Sequence, residues 1–311
     1  MRVTVTGATG TIGLACVHAA IRAGHQVRAF VRRSSEFRRL CRDERAEAVE
    51  GDILDRAATG AALEGSDAVI HCIDFPPQHY ERNWDAVRHA LEGLGSRRQF
   101  IYPGNAWVYR PSPNERVGPD SAKNAQTELG GVRADLEKAV TAEGGTVVHL
   151  PDVYGPGVLK GPLHALFART LAGRTARFPG HLDRPREFLY IEDAARALVA
   201  PLGKRQSLGV DYTAPGPAPI TPREFATLAF KAAGLPPRLR RTSLRWLRTT
   251  ALLDPARRAA RELLYLYERP VLFDGTRLRH DLGWSPEVEY AEGVRRTVRW
   301  LRETGYTAAS A

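Results

Sequence analysis

Gly7, Gly10 and Gly13 recur at the spacing G-x-x-G-x-x-G, within the run Thr6, Gly7, Ala8, Thr9, Gly10, Thr11, Ile12, Gly13. The run joins a short apolar strand pattern, Val3 to Thr6, to a stretch with helical apolar spacing, Ile12 to Ala23. Glycine at the first position allows a tight turn. At the second it lets the backbone approach a pyrophosphate, and at the third it lets helix pack on strand. The helix start then offers free N–H groups and a partial positive charge to phosphate. The spacing predicts a dinucleotide cradle.

The next strand, Gln26 to Val31, ends in Arg32, Arg33, Ser34 and Ser35. A free ribose 2′-hydroxyl calls for an acidic residue there, whereas arginine and serine suit a 2′-phosphate. The expected ligand is NADP(H) rather than NAD(H). Asp52 follows a third strand at Val49 and Glu50. It is placed to accept from the adenine amino group, with Ile53 against the ring; a turn or helix cap is its other reading. Cys72 closes a fourth strand, Ala68 to Cys72, and reads as a buried thiol near the nicotinamide.

These residues need elements to hold them. Strand patterns at Gln99 to Tyr102 and Thr146 to Leu150 alternate with helical patterns at Ala57 to Leu63, Arg82 to Leu94 and Leu129 to Ala142. Such alternation implies a parallel sheet covered on both faces. The expected class is α/β, a doubly wound parallel-sheet Rossmann fold with a smaller, mainly helical C-terminal substrate lobe. Residues 155–185 are rich in Gly, Pro and Arg around one helix, Leu163 to Ala172, and residues beyond 215 are mainly helical. The expected division is therefore interleaved: 1–154 plus 186–215 for the dinucleotide, and 155–185 plus 216–311 for the substrate.

Composition narrows the class. With 43% hydrophobic and 26% charged residues over 311 positions, the chain reads as a soluble globular enzyme. Cys16, Cys41 and Cys72 are its three cysteines, without paired spacing, and no targeting segment is expected ahead of the first strand. Both features suit a cytoplasmic protein. No apolar run suits a membrane span, and no spacing suits a metal. The net charge of +10 is spread along the chain. Its densest groups, Arg38, Arg39, Arg42 and Arg45, then Arg238, Arg240, Arg241, Arg245 and Arg248, read as solvated helix faces, not a nucleic-acid stripe. Lys160, His164, Arg169, Arg174, Arg177, His181 and Arg186 would suit a small polar or anionic substrate.

The motifs V-E-G-D-I-L-D, A-V-I-H-C-I, Y-P-G-N-A-W-V-Y, V-Y-G-P-G, R-E-F-L-Y-I-E-D-A-A-R-A and D-L-G-W-S-P follow the glycine run in order. Together they resemble the extended short-chain dehydrogenase/reductases, the NAD(P)-dependent epimerase/dehydratase family, to about Arg302. The resemblance implies that Thr6 to Gly13, Arg32, Arg33, Asp52, Ile53, His71, Cys72, Ile73 and Asn83 lie along the cofactor. It implies that Tyr154 to Gly157 begins the substrate lobe, and that Tyr190 and Asp193 pack beside the active site. It also implies a homodimer through helices of the nucleotide-binding domain.

The family's usual chemistry uses a Ser or Thr after the fifth strand and a Tyr-x-x-x-Lys on the next helix. Lysine and the cofactor ring lower the tyrosine pKa, so that tyrosine exchanges a proton with substrate. Here the serine position falls on Asn105, the tyrosine on Leu129 and the lysine on Arg133, anchored on Val108–Tyr109 and Glu137. None of the ten tyrosines has lysine four residues later. Leucine cannot exchange a proton, and arginine stays protonated. Asn105 can still donate to a developing oxyanion. Tyr109, Tyr154 and Lys123 are the leading substitutes, with Asp74, His79, His164 and His181 behind them; Trp107 would shape the pocket. The expectation is an NADP(H)-dependent reductase, dehydrogenase or epimerase/dehydratase with an atypical site, of the kind found in secondary metabolism. A redox-neutral isomerase, lyase or cyclase that retains NADP is the alternative, and a non-catalytic NADP(H)-sensing regulator is another.

Overall fold

The computed structural model describes residues 1–95, 98–110, 116–118, 120–250 and 261–305. Strand and helix alternate from the start: β1 (Arg2–Thr6), α1 (Thr11–Arg22), β2 (Gln26–Val31), α2 (Ser34–Leu40), β3 (Ala46–Glu50), α3 (Arg56–Leu63), β4 (Ala68–His71), α4 (Arg82–Leu94), β5 (Gln99–Asn105), α5 (Glu128–Ala142) and β6 (Thr146–Leu150). There follow β7 (Asp152–Tyr154), α6 (Gly161–Leu171), β8 (Ala176–Pro179), β9 (Phe188–Tyr190), α7 (Ile191–Val199), β10 (Asp211–Thr213), α8 (Pro222–Ala233), β11 (Leu239–Thr242) and α9 (Leu244–Thr250). The last described elements are α10 (Tyr265–Glu268), α11 (Thr276–Leu282) and α12 (Tyr290–Glu303).

Seven strands form one parallel sheet in the order β10-β6-β5-β4-β1-β2-β3. The order reverses between β1 and β4, which opens a crevice at the carboxyl ends of the strands. Alternating residues serve two cores. Ala68, Ile70, Ile101 and Val148 face α1 and α7 on one side; Val69, Phe100, Tyr102 and Val147 face α3, α4 and α5 on the other. A sheet buried on both faces explains why its strands read as nearly continuous apolar runs. No helix among the described residues is long and apolar enough to cross a membrane.

A further apolar cluster joins α6, α8 and α12 to β8 and β9 around Tyr154, Phe167, Phe188, Phe225 and Tyr290. Its rings meet edge to face, as at Tyr154–Phe225, with centroids 5.0 Å apart. Gly293 makes room for this packing, since a Cβ there would lie 2.4 Å from the Tyr154 hydroxyl oxygen. Two short parallel pairs, β7–β9 and β8–β11, complete the region. β7, β8, β9 and β11, of three or four residues each, lie outside the strands that the sequence pattern predicts. Trp284 packs into the core on the α1–α7 side.

Candidate active site

The glycine run turns as its spacing requires. Gly7 has φ +66°, and a Cβ on it would lie 3.0 Å from the Cys72 carbonyl. Gly10 N donates to Gly7 O at 2.8 Å. Gly10 is also the N-cap of α1, and no side chain caps the helix there. Exposed N–H groups are thus left for an anion. A Cβ on Gly13 would fall 2.2 Å from Gly7 O, so helix and loop touch. Thr11 spends its hydroxyl elsewhere: Oγ1 donates to Gly157 O at 2.9 Å and ties the loop to the segment after β7.

Beside this loop a cleft of about 300 Å³ opens at the strand ends. Ile12, His71, Cys72, Ile73 and Asp74 form one wall, and Tyr102 to Trp107 form the floor and a second wall. Arg133 reaches in from α5, and Leu150 to Val153 and Leu266 close the far side. Asn105 caps the turn after β5, its Oδ1 accepting from Trp107 N at 2.9 Å. Its amide NH2 is thereby left to donate.

His71 is buried, with Nδ1 3.1 Å from Thr6 Oγ1 and Nε2 without a hydrogen-bond partner. Burial, helped by Arg133, pushes its pKa down to about 3, so the ring is neutral. Thr6 therefore sits behind the cleft as a support for His71.

Arg133 is 4% exposed and lies over the Tyr102 ring, 4.4 Å from its centroid. It donates to Asp74 Oδ1 at 3.2 Å and to the Pro103 carbonyl. Although burial works against its charge, Tyr102, Asp74, Tyr80 and Glu137 hold its pKa above the ordinary value. It is a fixed cation. Asp74 is 48% exposed at its side chain yet walled by protein; burial raises its carboxyl above the usual range while Arg133 pulls the other way.

Asp152 was not foreseen from sequence. It lies on the opposite side, with Oδ2 3.6 Å from Arg186 Nη1. Its side chain is 50% exposed to the cleft, and the surrounding protein raises its pKa against the pull of Arg186. Arg186 itself lies against the adjoining Phe178 and Tyr267 rings, 5.2 and 5.1 Å from their centroids.

Several expected site residues stand elsewhere. Tyr109 is fully buried, its hydroxyl 3.0 Å from His149 Nδ1, and it does not line the cleft. Tyr154 belongs to the aromatic cluster of α6, α8 and α12. Burial raises both phenols, which makes them poor proton donors. Lys123 does not cover the cleft; its Nζ lies 2.6 Å from Asp211 Oδ2 and 3.0 Å from Glu137 Oε2. Ile53 is packed with Phe30, Ala62 and Leu63 rather than presented to a ring. Asn83 is buried, accepting from Phe75 N and donating to Tyr80 O, so it shapes the loop after β4. Asp52 accepts from Leu54 N at 3.0 Å, the turn role, and is exposed. Of the basic residues between 155 and 186, Arg186 contacts a cleft residue and none lines the cleft itself. Asp193 fastens α7 to the Glu287 and Val288 amides.

At the end of β2, Arg32 and Arg33 are exposed. Arg33 pairs with Glu36 at 2.9 Å. Among the described residues no cluster of His, Cys, Asp and Glu could hold a metal.

Sheet order, glycine turn and cleft define a Rossmann-fold NAD(P)-binding protein. Residues 7–130 match the family model described as NAD(P)H-binding. The chain is 26% identical to UDP-glucose 4-epimerase of Mycolicibacterium smegmatis, covering 97% of this chain and 99% of that one. It is 28% identical to 3-diazoavenalumate denitrifying reductase of a Streptomyces species, covering 92% and 96%. The solved structure of UDP-glucuronic acid 4-epimerase from Bacillus cereus, in complex with NAD, shares the fold with a TM-score of 0.81 at 18% identity, covering 98% of this chain and 99% of that one. By the NAD(P)H-binding match, these relatives and the shared fold, the chain is similar to the extended short-chain dehydrogenase/reductases, the NAD(P)-dependent epimerase/dehydratase family.

Proposed function

We propose that this protein is an NADP(H)-dependent enzyme that oxidises or reduces a carbinol or carbonyl carbon of a small polar metabolite. One observation carries this reading: the uncapped glycine turn and a cleft bearing a fixed cation, an amide donor and the Asp152 carboxyl share the same strand ends. The uncapped turn fits a pyrophosphate, and the cradles at Gly7 and Gly13 have no space for a side chain. Gly7, Thr9, Gly10 and the start of α1 would hold that group, with His71, Cys72 and Ile73 along its reactive end. When bound, the cofactor supplies or accepts a hydride.

The chain must then orient the substrate oxygen and move a proton. Asn105 supplies an amide donor to that oxygen. Arg133 fixes charge but holds its proton, so it positions and does not titrate. Asp74 is committed to Arg133. His71 stays neutral, so its open Nε2 serves orientation. Asp152 faces the cleft and meets Arg186 at 3.6 Å without a hydrogen bond, so its carboxyl is our choice for the proton exchange: its Oδ donates to a carbonyl oxygen or accepts from a hydroxyl. Its surroundings raise the pKa of this carboxyl, which makes the protonated form easier to reach than in an ordinary aspartate.

Arg32, exposed and without a hydrogen bond or ion pair to a described residue, favours NADP(H). The α4–α5 face, with Trp84 41% exposed over a groove of about 630 Å³, is our candidate for the contact of a homodimer. Fluorescence titration with NADPH and NADH tests the core of the reading, with binding of at least one expected. Reduced-nicotinamide absorbance with ketone and nucleotide-sugar panels then tests net hydride transfer. Binding of neither cofactor would overturn the proposal.

A further inference from the structure

The pattern Arg32, Arg33, Ser34, Ser35 promises four groups for a 2′-phosphate, but the fold has already engaged two of them. Arg33 donates to Glu36 Oε2 at 2.9 Å. Ser34 donates both its N–H and its hydroxyl to Glu50 Oε2, at 3.0 and 2.8 Å. Glu50 closes β3, and its register partner is Val31, the last residue of β2. The carboxylate is therefore fixed by the sheet beside the turn that leads into α2. The two Ser34 donors draw its pKa below the usual carboxylate range, so it is ionised at neutral pH.

A 2′-phosphate and a 2′-hydroxyl meet this arrangement differently. The phosphate carries up to two negative charges and only accepts hydrogen bonds at neutral pH. To use Ser34 it must displace an ionised carboxylate or lie beside one. A hydroxyl can donate to the same carboxylate. Arg32 and Ser35 remain for the phosphate, and of the two only Arg32 carries charge.

We infer that Glu50 is a specificity-determining residue: it withholds Ser34 from a 2′-phosphate and limits the preference for NADP(H) that Arg32 confers. This rests on the cofactor reading above. It places the discriminating carboxylate at the end of β3, whereas a sequence reading looks for it directly after β2.

The test needs no substrate. NADPH and NADH are titrated by fluorescence against wild type, Glu50→Gln, Ser34→Ala and the double variant, at low and high salt. Glutamine keeps an acceptor for Ser34 and removes the charge, and unchanged thermal melting confirms the fold. Glu50→Gln is expected to tighten NADPH about tenfold and leave NADH within about twofold, the size of a solvent-exposed charge repulsion at contact range. The gain should shrink at high salt. It should also shrink in the double variant, because a neutral glutamine holds the Ser34 hydroxyl less firmly than the carboxylate does and lets it turn to the phosphate. An unchanged NADPH-to-NADH ratio, or equal tightening of both, would overturn the inference. Binding of neither cofactor to wild type would instead overturn the reading beneath it.

Discussion

Gly10 and Gly13 stand three residues apart and constrain different things. A side chain on Gly13 would collide with the Gly7 backbone at 2.2 Å, so it disturbs the loop itself. A Cβ on Gly10 meets only Gly7 O, at 3.1 Å, and Gly10 is exposed. Gly10→Val should therefore leave the melting temperature within about 4 °C of wild type, an effect near 1 kcal/mol for a chain of this size. NADPH binding should fall below detection by fluorescence, and retained binding would remove the phosphate-loop assignment. Asp152→Asn makes the second prediction at this scale. Turnover should fall by about 100-fold or more, the usual contribution of a general acid–base, with NADPH affinity unchanged. Wild-type turnover in that variant would take Asp152 out of the mechanism. The glycine run was readable because its function is a backbone requirement. Asp152, Tyr109 and Tyr154 were not, because being near a strand end does not tell which way a side chain turns. Tyr109 points to His149 and Tyr154 into a ring cluster, while Asp152 faces the cleft.

Among the elements, α5 carries the most unusual interior. Glu137 is fully buried, with Lys123 at 3.0 Å, His149 at 3.3 Å and Arg133 at 3.5 Å. Burial raises its pKa, and the two cations oppose that rise. Lys123 also reaches Asp211 on β10, so the cluster ties α5 to the sheet edge and braces Arg133 from behind. Glu137→Gln would leave Arg133 and Lys123 short of a counter-charge. The expected loss is about 3–5 kcal/mol, read as a lower urea midpoint with unchanged slope. Arg33→Ala breaks an exposed pair instead and should cost about 0–1 kcal/mol. Equal effects of the two changes would contradict this account of α5. The helix was legible in sequence from its apolar period. Its polar core was not, because Lys123 and Asp211 lie far from Glu137 along the chain. Lys123 therefore looked like a loop lysine available to the cofactor.

For the molecule as a whole, the doubly wound parallel sheet followed from sequence because strand and helix alternate at a regular period and right-handed crossovers leave few arrangements. Charge distribution followed less well, since the buried titratable groups come together only in three dimensions. His71 and His149 are both buried and neutral, their pKa values lowered first by burial and then by neighbouring cations. In the unfolded chain each returns to the ordinary value of 6.5. The unfolded state thus binds more protons between that value and the folded one, which is about 3 for His71. Stability is then fully present above pH 6.5 and is lost as the pH falls toward 3. Each histidine should contribute a slope of about 1.4 kcal/mol per pH unit inside that window. Urea unfolding across the window should show stability falling with acid, and His71→Asn should flatten the fall by about half. Asparagine keeps a polar side chain near Thr6 and has no titration in this range. An acid limb equally steep in that variant would show that the carboxylates, not the buried imidazoles, set the acid sensitivity of the fold.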